Sequence, residues 1–319
     1  MKQEATIDCK GRRIRERHVF FKVGETALSG IMALPENGAP VGAFLLSHGW
    51  AGNRNGPANL LTALARSLAA QGFATLRFDY RGRGESGGDG ISTTLASMAA
   101  DLEAAAAFLR NETGFGQLSI LGMCSGGNVA IGALPRLGRL ECMLLLSVYP
   151  FSDGDSFGRD IKRSRHFLAA YLRKACSLEN WRRVLTGDAS LGRVFKVIFR
   201  PFLKRGENKA KEGAMRQSSA GTLVKAASNE SRKSDGPAPV RHLANLRADL
   251  PTLMIYGTGD PDADAAMKYF GDYAREKRLP VSFQRIEGAN HNYSSQEWQQ
   301  ELLDHILAFI EQQNKEVSK

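Results

Sequence analysis

Residues 118–130, Leu-Ser-Ile-Leu-Gly-Met-Cys-Ser-Gly-Gly-Asn-Val-Ala, leave this chain few ways to fold. Apolar Leu118, Ile120 and Leu121 predict a strand, Gly122-Met123-Cys124-Ser125-Gly126-Gly127 a sharp turn, and the run that follows is compatible with a helix. A turn that throws a strand directly into a helix has no space for a Cβ two residues before or two residues after its centre. Gly122 and Gly126 meet that condition around Cys124. Centring the turn on Ser125 would put Met123 at the first small-residue position, so the spacing selects Cys124.

The remaining chain supplies the sheet into which such a unit fits. Residues 18–23 and 27–34 read as two strands of an antiparallel hairpin around Gly24-Glu25. The apolar run 41–46 predicts a buried strand ending in Ser47-His48-Gly49-Trp50, and 59–70 has apolar residues at helical spacing. Strand 73–78 runs into Asp79-Tyr80-Arg81-Gly82-Arg83-Gly84-Glu85-Ser86-Gly87-Gly88, a tight irregular loop; an alanine-rich helix follows at 93–109, and another buried strand at 140–148. Strands alternating with helices at this rhythm predict a mostly parallel, doubly wound sheet.

After Tyr149-Pro150 the pattern breaks. Segments 159–176, 178–185 and 191–203 are compatible with basic amphipathic helices, and 206–239 is polar and short of large apolar residues, which predicts a flexible segment. The rhythm resumes with a short helix at 240–246, a strand at 251–256, a helix at 262–277, a strand at 281–286 and a final helix at 294–312. The expected organisation is a core of 1–150 and 240–319, with eight strands, interrupted after its sixth strand by a basic helical cap at 151–239.

With 319 residues and 43% of them hydrophobic, the chain can bury a sizeable core. The charged N-terminal stretch lacks the apolar centre of a signal peptide and no run is long enough to span a bilayer, so a soluble, cytoplasmic protein is expected. Cys9, Cys124, Cys142 and Cys176 lack metal-ligand spacing; Cys142 lies in an apolar run and is expected in the core. Segment 158–235 holds 19 of the 43 Lys and Arg but 7 of the 33 Asp and Glu, so the net charge of +10 is concentrated in the insertion. No metal cluster, nucleotide fingerprint or carrier motif argues for a cofactor; Gly82, Gly84, Gly87 and Gly88 lack the Lys-Ser/Thr ending of a phosphate cradle.

Four motifs in register with the strands resemble the α/β-hydrolase superfamily: His48-Gly49-Trp50, the Asp79–Ser86 motif, the turn at Cys124, and Asp260 with His291 late in the chain. The Gly-x-Cys-x-Gly turn is similar to that of dienelactone hydrolases. The overall layout, with an insertion containing Arg182, Arg183, Val184, Leu185, Thr186 and Gly187, resembles hydrolases that accompany exosortase systems.

The resemblance implies Cys124 as nucleophile, His291 as acid–base, and Asp260, of the three aspartates Asp260, Asp262 and Asp264, as the carboxylate that orients the histidine. Asp262 is instead expected as a helix N-cap and Asp264 in the first helical turn. The resemblance makes His48, Asp79 and Arg81 structural. A thiol becomes a good nucleophile as thiolate, beside an imidazole or at a helix N-terminus, and this turn offers both if His291 comes near. The backbone N–H groups of Ser125 and Trp50 are the expected oxyanion hole.

These readings lead to an acyl hydrolase, a carboxylesterase, lactonase or thioesterase, working through an acyl-cysteine on a small acyl substrate that the basic cap could select for negative charge. Two alternatives stand beside it: an acyltransferase on the same triad, and a non-catalytic protein of this fold that binds anionic partners through the cap. Specific nucleic-acid binding is not expected, since dispersed Lys and Arg without a recognition motif read as a solvated surface.

Overall fold

The computed structural model describes residues 4–90, 93–150 and 243–317. They belong to one compact unit, Met1–Ser152 with Ala238–Lys319. The cap at 151–239, with its expected helices and flexible segment, lies outside the described residues.

The strands are β1 (Glu4–Cys9), β2 (Arg12–Val23), β3 (Thr26–Pro35), β4 (Ala43–Ser47), β5 (Ala74–Phe78), β6 (Leu118–Met123), β7 (Leu140–Leu146), β8 (Thr252–Gly257) and β9 (Val281–Ile286). They form one sheet in the order β1-β2-β3-β5-β4-β6-β7-β8-β9. The first three are antiparallel to their neighbours and β3 is antiparallel to β5, whereas β5, β4, β6, β7, β8 and β9 pair in parallel. Among the described residues the α-helices that cover the sheet are α1 (Leu60–Ala70), α2 (Leu95–Thr113), α3 (Ser125–Ala133), α4 (Ala263–Lys277) and α5 (Gln296–Val317).

Continuous apolar runs make these central strands because the sheet is buried on both faces. In β4, Leu45 joins the core beneath α2, α3 and α4, while Phe44 and Leu46 point into the core beneath α1 and α5. Alternation repeats in β7, where Met143 and Leu145 face one layer and Leu144 and Leu146 the other. Helix α2 starts at a reciprocal capping box, with Thr94 accepting from the Ser97 backbone N–H at 3.1 Å and the Thr94 N–H donating to Ser97 Oγ at 2.9 Å.

Among the described residues the sheet has nine strands rather than the expected eight. The added β1 pairs with an N-terminal extension of the first expected strand, joined by a tight turn at Lys10 (φ 54°) and Gly11 (φ 78°). It is an edge strand whose residues are exposed or half-buried, so its sequence carries charge where a central strand would carry an apolar run. The insertion therefore follows the seventh strand, at the place in the chain where the break in pattern puts it. The hairpin of β2 and β3 closes with Val23 opposite Thr26, as the Gly24-Glu25 spacing predicts.

Candidate active site

The strands that supply the candidate residues end nearly level. Ser47 pairs with Gly122, Met123 with Leu146, Leu146 with Ile255 and Gly257 with Ile286. The loops that leave them, carrying Trp50, Cys124, Tyr149, Asp260 and His291, thus emerge along one edge of the sheet, where open α/β folds form their sites.

Cys124 occupies the N-cap of α3 with φ 54° and ψ −128°, a backbone conformation that L-residues rarely hold. The turn survives because its flanking glycines permit close approach: a Cβ on Gly122 would lie 2.6 Å from Gly127 Cα, and one on Gly126 would lie 2.4 Å from the His48 carbonyl oxygen. Both glycines selected by spacing are thus required by backbone packing. The Cys124 N–H is anchored on Leu146 O at 2.8 Å.

His291 Nδ1 lies 3.0 Å from Asp260 Oδ2, and the imidazole is near enough to Cys124 for each to shift the other's protonation. With Nδ1 engaged by the carboxylate, Nε2 is the ring nitrogen left for the sulfur. The Asp260 and His291 loops meet because Gly257 lacks a side chain, whose Cβ would fall 2.1 Å from Ala289 O. Asp260 is 4% exposed and also accepts from the Asp262 backbone N–H at 3.2 Å.

Charge follows from this arrangement. Burial pushes the Cys124 thiol up, but hydrogen bonding and proximity to His291, with donors from the Ser125 backbone and side chain, bring it below its ordinary value. Burial lowers His291, yet the bonds to Asp260 and Cys124 outweigh it and raise the imidazole to about 9. Burial also works against ionised Asp260, but bonds from His291 and Tyr149 hold its carboxyl below the usual range. Thiolate and imidazolium support each other.

Tyr149, just beyond β7, was not singled out by the sequence. Its hydroxyl donates to Asp260 Oδ2 and lies 2.5 Å from His291 Nδ1, and its ring stacks on the imidazole at 4.9 Å between centroids and 18° between planes. The only sequence signal was its position at the end of a buried strand in the parallel sheet.

The two expected oxyanion donors are arranged differently from one another. The Ser125 backbone N–H helps to lower the Cys124 thiol, whereas the Trp50 N–H donates to Ser125 Oγ at 2.6 Å. Trp50 is 38% exposed, and Arg83 lies over its indole at 5.8 Å while donating to its carbonyl at 2.9 Å.

The residues expected to be structural are held accordingly. His48 is buried, with Nδ1 2.7 Å from Gly49 O and Nε2 accepting from the Tyr80 N–H at 3.3 Å; burial lowers its pKa and favours the neutral ring. Asp79 accepts from the backbone N–H groups of Arg54 at 2.6 Å and Glu85 at 3.0 Å, and Asp101 accepts from Arg81 Nε at 2.9 Å and from the Arg81 backbone N–H at 3.0 Å. Asp262 stands at the N-cap of α4 without a capping side-chain bond, and Asp264 falls in the first turn, where it pairs with Arg285 at 2.9 Å. Cys142 is in the core, with burial raising its thiol to about 11. Among the described residues, no group of three or more His, Cys, Asp or Glu is arranged to hold a metal ion, and no helix is long and apolar enough to cross a membrane.

Residues 44–304 match the model of the alpha/beta hydrolase family. Among solved structures the chain is similar to a proline iminopeptidase from Mycobacterium smegmatis, with a TM-score of 0.58 and 16% identity over 94% of this chain and 99% of that one. An esterase from Pyrococcus furiosus gives 0.57 and 16% over 93% and 90%, and a dienelactone hydrolase from Anabaena variabilis 0.53 and 17% over 93% and 95%. At these identities the likeness is one of fold. Two curated Escherichia coli relatives, each an uncharacterized 31.7 kDa protein in the traX-finO intergenic region, are 30% identical over 141 residues, which is 42% of this chain and 48% of theirs. The chain thus spans about half the length of the curated relatives it matches.

Proposed function

Because the chain belongs to the alpha/beta hydrolase family, we propose that it is a hydrolytic enzyme that cleaves ester, lactone or thioester bonds through an acyl-Cys124 intermediate. The observation that carries this reading is the placement of His291 between the Asp260 carboxylate and the Cys124 sulfur, with the sulfur at the N-terminus of α3.

In this reaction the Cys124 thiolate attacks the substrate carbonyl carbon, and the carbonyl π pair moves onto oxygen, where the N–H groups of Ser125 and Trp50 receive it. Collapse of the tetrahedral intermediate breaks the bond to the leaving group, which takes the proton of the His291 imidazolium. Neutral His291 then removes a proton from water as its oxygen attacks the acyl-cysteine thioester. The second collapse expels the thiolate and releases the acid, and the imidazolium is restored. Asp260 holds the tautomer that keeps the proton on Nδ1 and offsets the charge of the imidazolium.

The basic segment 158–235 adds a substrate preference, for acyl groups bearing carboxylate or phosphate; support comes from its charge and from the chain's departure directly after Tyr149. Equal turnover of anionic and neutral analogues of one ester would overturn that preference. A cytoplasmic setting would keep the Cys124 thiol reduced.

The test is a panel of short and long acyl esters, thioesters and lactones against wild type and Cys124→Ala. The variant is expected to lose activity by about ten-thousand-fold and to lose labelling by an electrophilic probe. Wild-type turnover by Cys124→Ala would sink the proposal.

A further inference from the structure

The side chain of Ser125 has no part in the reaction just described, yet it sits in the centre of its machinery. Its Oγ accepts the Trp50 N–H at 2.6 Å, so the donor expected to hold a substrate oxygen is already occupied. The same side chain is among the groups that bring the neighbouring Cys124 thiol below its ordinary value. A hydroxyl has one hydrogen, and with the Trp50 N–H donating to the oxygen, that hydrogen is the one available to the sulfur. The neighbourhood is close: a Cβ built on Gly49 would stand 3.4 Å from Cys124 Cβ and 3.5 Å from Ser125 Oγ. Ser125 is the first residue of α3, and its position follows directly from the turn at Cys124.

We propose that the Ser125 hydroxyl is a resting occupant of the oxyanion hole, a built-in stand-in for the substrate oxygen, and that a binding acyl group must displace it to reach the Trp50 N–H. The inference rests on the acyl-cysteine reading and deepens it. In the free enzyme the hydroxyl serves both ends, satisfying the Trp50 donor and solvating the thiolate. When a substrate carbonyl takes the Trp50 N–H, the hydroxyl turns away by rotation about its Cα–Cβ bond, and the sulfur loses a donor at the moment it must attack. The thiolate is thus quieted at rest and released by the substrate itself. Ser125 acts here as a positioning residue, through the sulfur and the Trp50 N–H.

The test compares wild type, Ser125→Ala, Ser125→Gly and Ser125→Thr. Thiolate formation at Cys124 is followed by ultraviolet absorbance against pH, as the difference from a Cys124→Ala background. Loss of the hydroxyl in Ser125→Ala and Ser125→Gly is expected to raise the Cys124 pKa by about one unit, since a bond to a charged group disappears. Ser125→Thr, which keeps the hydroxyl, is expected to titrate with wild type. With a turned-over ester, Ser125→Ala should lower KM by about fivefold, because nothing has to be displaced, while the acid limb of kcat/KM moves to higher pH with the thiol. Unchanged titration in both Ser125→Ala and Ser125→Gly, or a higher KM in Ser125→Ala, would overturn the inference. The titration uses no substrate, so failure of the Ser125 placement is distinguishable from failure of the acyl-cysteine reading, which the Cys124→Ala turnover decides.

Discussion

The Cys124 thiol is shifted down and the His291 imidazole up, and a pH dependence for the proposed reaction follows from that. The thiol is depressed, so the thiolate forms as pH rises through a value below the ordinary 9.0 of a cysteine. The imidazole is raised to about 9, so the imidazolium that would protonate the leaving group in the proposed reaction persists until that pH. The acylation rate is therefore expected to follow a bell whose alkaline limb lies near pH 9, measured as kcat/KM against pH. A limb near 6.5, the ordinary histidine value, would show that His291 is not held by both partners. Tyr149→Phe keeps the ring on the imidazole and deletes its bond to Asp260, and is expected to lower kcat/KM by about tenfold or more, with little change in the melting temperature. Cys124, Asp260 and His291 were legible because each stands in a local motif. Tyr149 was not, since its partners lie 111 and 142 residues away and no local spacing marks it.

At the scale of elements, α3 makes a direct comparison possible, because glycines with opposite tasks share one helix. A Cβ at Gly126 would meet the backbone oxygens of His48 at 2.4 Å and Ser47 at 2.6 Å, whereas one at Gly132 meets nothing within 4 Å. Gly126→Ala is expected to destabilise the protein by about 3 kcal/mol, through backbone displacement, and to disrupt the turn at Cys124. Gly132→Ala should instead stabilise it by up to about 1 kcal/mol, through lower backbone freedom in the unfolded chain. Thermal unfolding of the two variants checks both signs. The central strands were readable because burial on both faces forces unbroken apolar runs. Strand β1 was not readable, because an edge strand that is largely exposed has no such constraint.

Across the whole molecule, the antiparallel end of the sheet is fastened to its parallel part by Glu16. From β2 its carboxylate accepts from Arg66 on α1 at 2.8 Å and from Arg77 on β5 at 3.3 Å, with side-chain exposures of 9% for Glu16 and 6% for Arg77. Glu16→Gln leaves Arg77 without its counter-charge and is expected to cost about 3 kcal/mol, read by denaturant unfolding at neutral pH. Burial works against ionised Glu16, but the two arginines hold its pKa below the ordinary 4.5. This contribution is therefore complete above pH 4.5 and lost as pH falls through the depressed value, so variant and wild type should converge in acid. The sheet and the interrupted core could be inferred from the rhythm of the sequence, but this network joins residues 50 and 61 positions apart and only folding brings them together.

The parallel pairing of β7 with β8, from Met143 opposite Thr252 to Leu146 opposite Ile255, spans the long insertion. Cys124 lies before that insertion, and Asp260 and His291 lie after it. A chain severed within 151–242 would therefore be two polypeptides, neither holding all three of the proposed reacting groups, yet each carrying at the break a strand that is the other's neighbour. The protein is in this sense a natural candidate for fragment complementation. A protein nicked there should keep its reactivity toward the electrophilic probe while the β7–β8 ladder holds, and lose it when denaturant parts the halves.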